Sequence, residues 1–289
     1  MECLRARRDL AVIVAVAALA CSSCLVRRRT VAPPGKVANK PLLTATKEDL
    51  LQRIRSVSDP VHSFAMKVDM APSIGNLYGG TITDYPTISG YIFYRKPDEI
   101  RVIGLDPVVH GTAFDMLSKG NAFRVSIPSR NQFVEGLNDT PANSPNKLEN
   151  LRPVAFLTSL LINPPTGSPD MTILEDDTNE TKAIYIVLFL ARDGERLRLL
   201  RNVYFDRYTL QITRQKTFDA AGYIVSDTSY ENWKNYGGFP FPASIDILRP
   251  QDGYELVLNV TDLRVNSPDV TDQKFILVKP PNAQIKVLK

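Results

Sequence analysis

Apolar and polar residues alternate along most of this chain. In "SFAMKVDM" (63–70), Phe64, Met66, Val68 and Met70 fall on one side and Ala65, Lys67 and Asp69 on the other. A period of two is the signature of a strand with one face buried. "TISGYIFYRK" (87–96) and "EIRVIGL" (99–105) continue the pattern on either side of Lys96-Pro97-Asp98, a turn signal. "FDMLSKGNAFRVSIPSRNQFVEG" (114–136) predicts short strands joined by turns at Lys119-Gly120-Asn121 and Pro128-Ser129-Arg130. Such short links belong to hairpins, so the sheet is expected to be antiparallel.

Two segments break the alternation. Leu50, Leu51, Ile54 and Val57 recur at helical spacing, with Thr46 as N-cap, Asp49 as its reciprocal acid and Asp59-Pro60 as the stop. The polar, Pro-rich "NDTPANSPNKLENLRP" (138–153) leads into "LENLRPVAFLTSLLI" (148–162). There Leu148, Leu151, Phe156, Leu160 and Leu161 are candidate apolar positions and Pro153 suits a first helical turn. Strands then resume. "AIYIVLFLA" (183–191) is apolar on both faces and predicts a central strand. Further strands are predicted in 196–206, 209–219, 222–233, 241–248 and 254–266, and one short apolar piece closes the tail.

Roughly ten or eleven strands joined by short turns tend to curl toward a barrel or half-barrel. The expected fold is therefore mainly β, an antiparallel barrel or half-barrel, with two helical segments left to plug or cover its mouth. A chain of 289 residues with 44% hydrophobic residues has enough apolar material for a sizeable core.

The N-terminus follows different rules. Arg5, Arg7 and Arg8 precede an uninterrupted apolar run, "LAVIVAVAALA" (10–20), followed by small residues and cysteines. This is the layout of a secretory signal peptide, and the run is shorter than the roughly 20 residues of a membrane-spanning helix. Ala18-Leu19-Ala20-Cys21 and Cys21-Ser22-Ser23-Cys24 both resemble the lipobox of bacterial lipoproteins, in which the Cys after small residues is acylated. Cleavage before Cys24 removes Cys3 and Cys21 and leaves a single thiol for the lipid; Cys21 is the alternative. The expected organisation is a lipoprotein signal peptide at 1–23, a tether at 24–45, and one domain at 46–289 with a helical insertion at about 138–170. Beside an acylated Cys, Arg27, Arg28 and Arg29 would lie close to anionic headgroups at the membrane; a solvated charged linker is the equal alternative.

Composition excludes several classes of function. A net charge of +4, much of it in the N-terminal arginines, does not make the basic face of a nucleic-acid binder. The Cys21/Cys24 pair has no second Cys or His pair for zinc, since His62 and His110 are the only histidines. No GxSxG, HExxH, P-loop lysine or GxGxxG is present, so no catalytic residue, metal or cofactor is expected. Gly75–Gly80 reads as a plain loop and Glu175-Asp176-Asp177 as a solvated one. Tyr185, Tyr223, Tyr230, Trp233 and Tyr236 read as sheet packing.

The order of motifs resembles the LolA/LolB superfamily of lipoprotein carriers, closer to LolB-like and DUF4292-type lipoproteins than to soluble LolA. "SGYIFYRKPDEIRVIG" (89–104), with Arg95-Lys96-Pro97 and Arg101, is similar to that superfamily's "F-x-x-x-[KR]-P-x-x-[FIL]-R" hairpin. Residues 114–136 resemble the next hairpins, and "VYFDRYTLQITRQKTFDAAGYIVSDTSYENW" with "GFPFPASIDI" resembles the closing strands. The resemblance implies a strongly curved, incomplete barrel whose apolar cavity binds acyl chains of lipids or lipoproteins. It also implies a lipid-anchored place on the periplasmic face of the outer membrane, and a periplasmic carrier protein as partner. Leu25 or Ser22 after the acylated Cys is compatible with outer-membrane sorting. In LolB an exposed apolar loop enters the membrane; Leu105-Asp106-Pro107-Val108-Val109 could match it, but an ordinary buried turn is the expectation here. The same core pattern would also serve a non-catalytic envelope scaffold with a filled barrel.

Overall fold

Thr46 opens the first helix, α1 (Lys47–Ser58), through the expected capping box. Its hydroxyl oxygen accepts from the Asp49 amide at 3.2 Å, and the Asp49 carboxylate accepts from the Thr46 amide at 2.9 Å. Leu50, Leu51 and Ile54 are buried, and Asp59 is the C-cap. The computed structural model describes residues 41–75, 80–108, 111–138, 153–162 and 171–288.

The strands of the first half are β1 (Ser63–Ile74), β2 (Thr83–Asp84), β3 (Ile88–Arg95), β4 (Glu99–Leu105), β5 (Thr112–Lys119), β6 (Ala122–Ile127) and β7 (Gln132–Leu137). Helix α2 (Pro153–Leu160) follows, starting at the proline expected in its first turn. The second half holds β8 (Thr172–Thr178), β9 (Ala183–Asp193), β10 (Arg196–Asp206), β11 (Ile212–Phe218), β12 (Ile224–Tyr236), β13 (Phe239–Arg249), β14 (Tyr254–Val265) and β15 (Gln284–Val287). These elements belong to one compact unit, Pro41–Thr178 with Ala183–Lys289; residues 179–182 form a turn of their own, closed by the Asn179 amide on the Lys182 carbonyl at 2.8 Å.

All strands join one sheet in the order β15-β7-β6-β5-β4-β3-β1-β14-β13-β12-β11-β10-β9-β8, with β2 pairing β1. Each half is a meander, and β1 joins them by pairing β3 on one side and β14 on the other. The sheet does not close, because β15 and β8 are its two ends. The fifteen strands among the described residues exceed the ten or eleven expected. One of the additions is β8, whose Glu175, Asp176 and Asp177 are strand residues rather than loop residues. Their polarity suits an edge, where charged residues discourage further pairing. "AIYIVLFLA" consequently lies in β9, one strand in from the edge, rather than at the centre. One pair departs from the antiparallel rule: β15 runs parallel to β7, because the chain crosses the sheet before it re-enters.

The sheet is strongly curved, and α2 shows why. Seven steps separate β5 from β11, about 34 Å in a flat sheet at roughly 4.8 Å per step. A helix as short as α2 spans about 12 Å. Yet α2 contacts β4 and β5, while Gln215 of β11 donates to its Thr158 carbonyl at 2.8 Å. The sheet must wrap around the helix. At the β3–β4 turn, Lys96 donates to the Ser58 carbonyl of α1 at 3.0 Å, and α1 also contacts β13, so both helices sit in the concavity.

Period two divides the core accordingly. Phe64 belongs to the concave cluster with Tyr94, Phe123, Phe205 and the buried residues of both helices. Its neighbour Ala65 belongs to a convex cluster with Phe93, Leu117 and Phe133. That second cluster is covered by Val270, Phe275 and Leu277 of the C-terminal segment. Arg101 fastens the segment: it grips Asp115 with Nε at 2.9 Å and Nη2 at 2.6 Å, and donates from Nη1 to the Lys274 carbonyl at 3.0 Å.

Candidate functional site

A cross-strand pair of glycines, Gly90 of β3 and Gly104 of β4, faces the concavity. A β-carbon on Gly90 would collide with the Ile103 carbonyl and the Met70 side chain, and one on Gly104 with the Phe114 ring and Ile88. The missing side chains leave room for these large neighbours to meet. Together they floor a cavity of about 360 Å³.

The walls are hydrocarbon. Met70, Ile88, Phe114, Met116, Val125 and Ile127 come from four strands, Leu256 from β14, and Phe156 from α2. Met116 and Phe156 are almost completely buried, at 1% and 3% exposure. The polar side chains of the lining are few: Asp106, Ser129, Arg130, Ser73 and Glu255, which are half-buried or exposed, and the phenols of Tyr85 and Tyr254. The Ser73 hydroxyl donates to Glu255 at 3.5 Å. Beside Glu255, burial and the neighbouring carboxylate push Asp246 up to about 6.

A hydrocarbon wall neither transfers protons nor holds a metal, and no cluster among the described residues has the ligands for one. What the cavity can do is take apolar groups out of water, at about 0.8 kcal/mol per buried CH₂. Its volume lies within the range of small-molecule sites, about 300–1,000 Å³. A larger groove, about 760 Å³, runs on the convex face beneath the C-terminal segment, but its lining is mixed and its arginines are committed. Arg101 is held by Asp115, and Arg264 by Asp262 and Asp269.

The residues singled out by the sequence fare unevenly. Cys24, its alternative Cys21, and Arg27, Arg28 and Arg29 lie outside the described residues, as do Leu148, Leu151, Val109, His110 and most of the Gly75–Gly80 loop. Tyr185 and Tyr230 are buried, and Trp233 and Tyr236 pack on the concave core. Tyr223 does not pack; it is 69% exposed at a turn. The 105–109 link is not a buried turn either, since Val108 is 81% exposed. The cavity residues escaped sequence reasoning. Their one signal is an isolated glycine within each of two strand patterns, which marks a close approach.

No protein-family model matches the chain, and no curated protein matches it. Among solved structures it is similar to a LolA superfamily protein from Nitrosomonas europaea, at 15% identity and a TM-score of 0.48, over 81% of this chain and 99% of that one. It is also similar to a DUF1329 family protein from Desulfovibrio piger, at 15% identity and 0.49, over 79% and 95%. A third is a candidate outer membrane lipoprotein-sorting protein domain from Vibrio parahaemolyticus, at 11% identity and 0.48, over 78% and 96%. Likeness at this level says nothing of ligand or activity, and the fold described above rests on this chain's own strand order.

Proposed function

We propose that this chain is a lipid-anchored periplasmic lipoprotein of LolA/LolB-like type. Its concave cavity binds acyl chains of lipids or lipoproteins, as part of lipid or lipoprotein localisation at the outer membrane. It binds rather than catalyses. One observation carries the reading: a cavity of about 360 Å³ whose walls are mainly aliphatic and aromatic, with few polar groups among them. A filled-core scaffold would leave no such space. The N-terminal run, cysteines and arginines support the anchor, with Cys24 as the acylated residue and Cys21 as its alternative. A periplasmic carrier protein is the expected donor or acceptor.

The test is to purify the full chain from membranes, extract it, and identify co-purifying lipid by mass spectrometry. The delipidated protein is then offered a fluorescent fatty acid. Acyl lipid in the extract and saturable uptake are expected; an empty extract with no uptake would overturn the binding reading. Mass analysis of the mature N-terminus should find an acylated Cys24. An unmodified Met1 would overturn the anchor and leave the cavity reading standing.

A further inference from the structure

The convex face is treated differently at its two ends. Toward β7 the C-terminal segment covers Ala65, Phe93, Leu117 and Phe133. Toward β8 no such cover exists among the described residues. There Ile173 is 51% exposed opposite Leu188, Leu190 pairs Leu199, and Leu197 is 61% exposed. This apolar strip runs to the tip of the β9–β10 hairpin. Gly194 turns the tip in the left-handed region, with open space around it. A register shift between Leu199 and Arg201 brings Leu200 to the surface as well.

The same tip carries Arg192, Arg196 and Arg198, which outnumber its acids Asp193 and Glu195. None of the three has an ion-pair partner among the described residues, and the Nε of Arg198 is buried without a hydrogen bond. Aliphatic side chains that offer no hydrogen bonds sit beside uncompensated guanidiniums on long, flexible stems. That combination matches a surface that is anionic outside and hydrocarbon just beneath. Arginine stems can lie along apolar material while their heads stay with phosphates. A protein surface offers no such layering, and a nucleic acid would call for exposed rings that the tip lacks.

We propose that the β9–β10 hairpin docks tip-first on an anionic phospholipid bilayer. Leu197 and Leu200 enter the hydrocarbon boundary, and the exposed Arg192 and Arg196 meet the headgroup phosphates. This contact is separate from the N-terminal anchor and does not need an occupied cavity. It sets how the concavity is presented to the membrane.

The test reconstitutes the full chain into vesicles of phosphatidylcholine with and without phosphatidylglycerol, using brominated acyl chains as depth quenchers. A Leu197→Trp variant reports the tip, and Tyr223→Trp reports a different exposed turn; the signal of the single native tryptophan is subtracted using the parent chain. Strong quenching at position 197 in phosphatidylglycerol vesicles only, with little at 223, is expected. Arg192→Gln and Arg196→Gln in the Leu197→Trp chain should each lower the docking equilibrium constant roughly five-fold. Quenching at 197 no greater than at 223, or equal in the two vesicle types, would overturn the proposal. Shielding of 197 by self-association, seen as a dimer in cross-linking without quenching, would overturn it too. Cavity occupancy is read separately by mass spectrometry, so the two readings fail independently.

Discussion

Tyr230 of β12 donates from its hydroxyl to the Ser159 carbonyl of α2 at 2.7 Å, in a fully buried setting. Burial raises the pKa of this phenol well above its ordinary value, so it stays a donor across the working range. Thr228 and Ser226 extend the contact to the Ser159 hydroxyl. The bond ties helix α2 to the far half of the sheet. Tyr230→Phe should lower stability by about 1 kcal/mol, the cost of a lost buried hydrogen bond. Urea unfolding measures it, and hydrogen exchange should show the loss first in residues 153–160.

The glycine pair makes two opposite predictions. Gly90→Ala drives a methyl into the Ile103 carbonyl, and backbone cannot step aside. That variant should lose about 2 kcal/mol or more, as over-packed cores do. Gly104→Ala meets the ring of Phe114, which can swing toward the cavity. It should fold with a smaller loss and take up fatty acid less well, so thermal melting and uptake together separate the two.

Ala113 lines the cavity without being fully buried. Ala113→Phe should fill the space at little cost in stability. Uptake of a fluorescent fatty acid should fall by about ten-fold or more, consistent with losing burial for two or so methylenes. Unchanged uptake would place the ligand elsewhere.

Arg101 and Asp115 form a bidentate pair beneath the C-terminal segment, with Asp115 only 8% exposed. Arg101→Met leaves that carboxylate buried without its cation, a loss of about 3 kcal/mol or more. The Lys274 carbonyl loses its donor as well. Limited proteolysis should then cut within residues 266–283 earlier than in the parent.

Asp246 sets a pH dependence. Its folded-state pKa is raised to about 6 from an ordinary 3.8, chiefly by burial and then by Glu255. A raised acid binds its proton more tightly folded than unfolded. Its contribution to stability is therefore complete below about pH 4 and is lost as pH rises through about 6. Asp246→Asn should be more stable than the parent at pH 7.5, with the gain vanishing near pH 4. Urea midpoints at the two values decide it.

Alternation of side chains determined much of this protein without any structure. Period two in "SFAMKVDM" already separated Phe64 from Ala65, and the structure puts them in cores on opposite faces of the sheet. Capping chemistry at Thr46 and the proline at 153 placed both helices, because such signals act over three or four residues. Other features depend on residues far apart in the chain. β8 is a strand only because β9 offers it a ladder, and β15 pairs β7 only after the C-terminal segment has crossed the convex face. The cavity is of the same kind. Two glycines, a methionine, a phenylalanine and a helix come together only where the sheet wraps around α2. Local sequence determines which face a residue takes; curvature, a sum over many strands, decides which faces meet and what space is left between them.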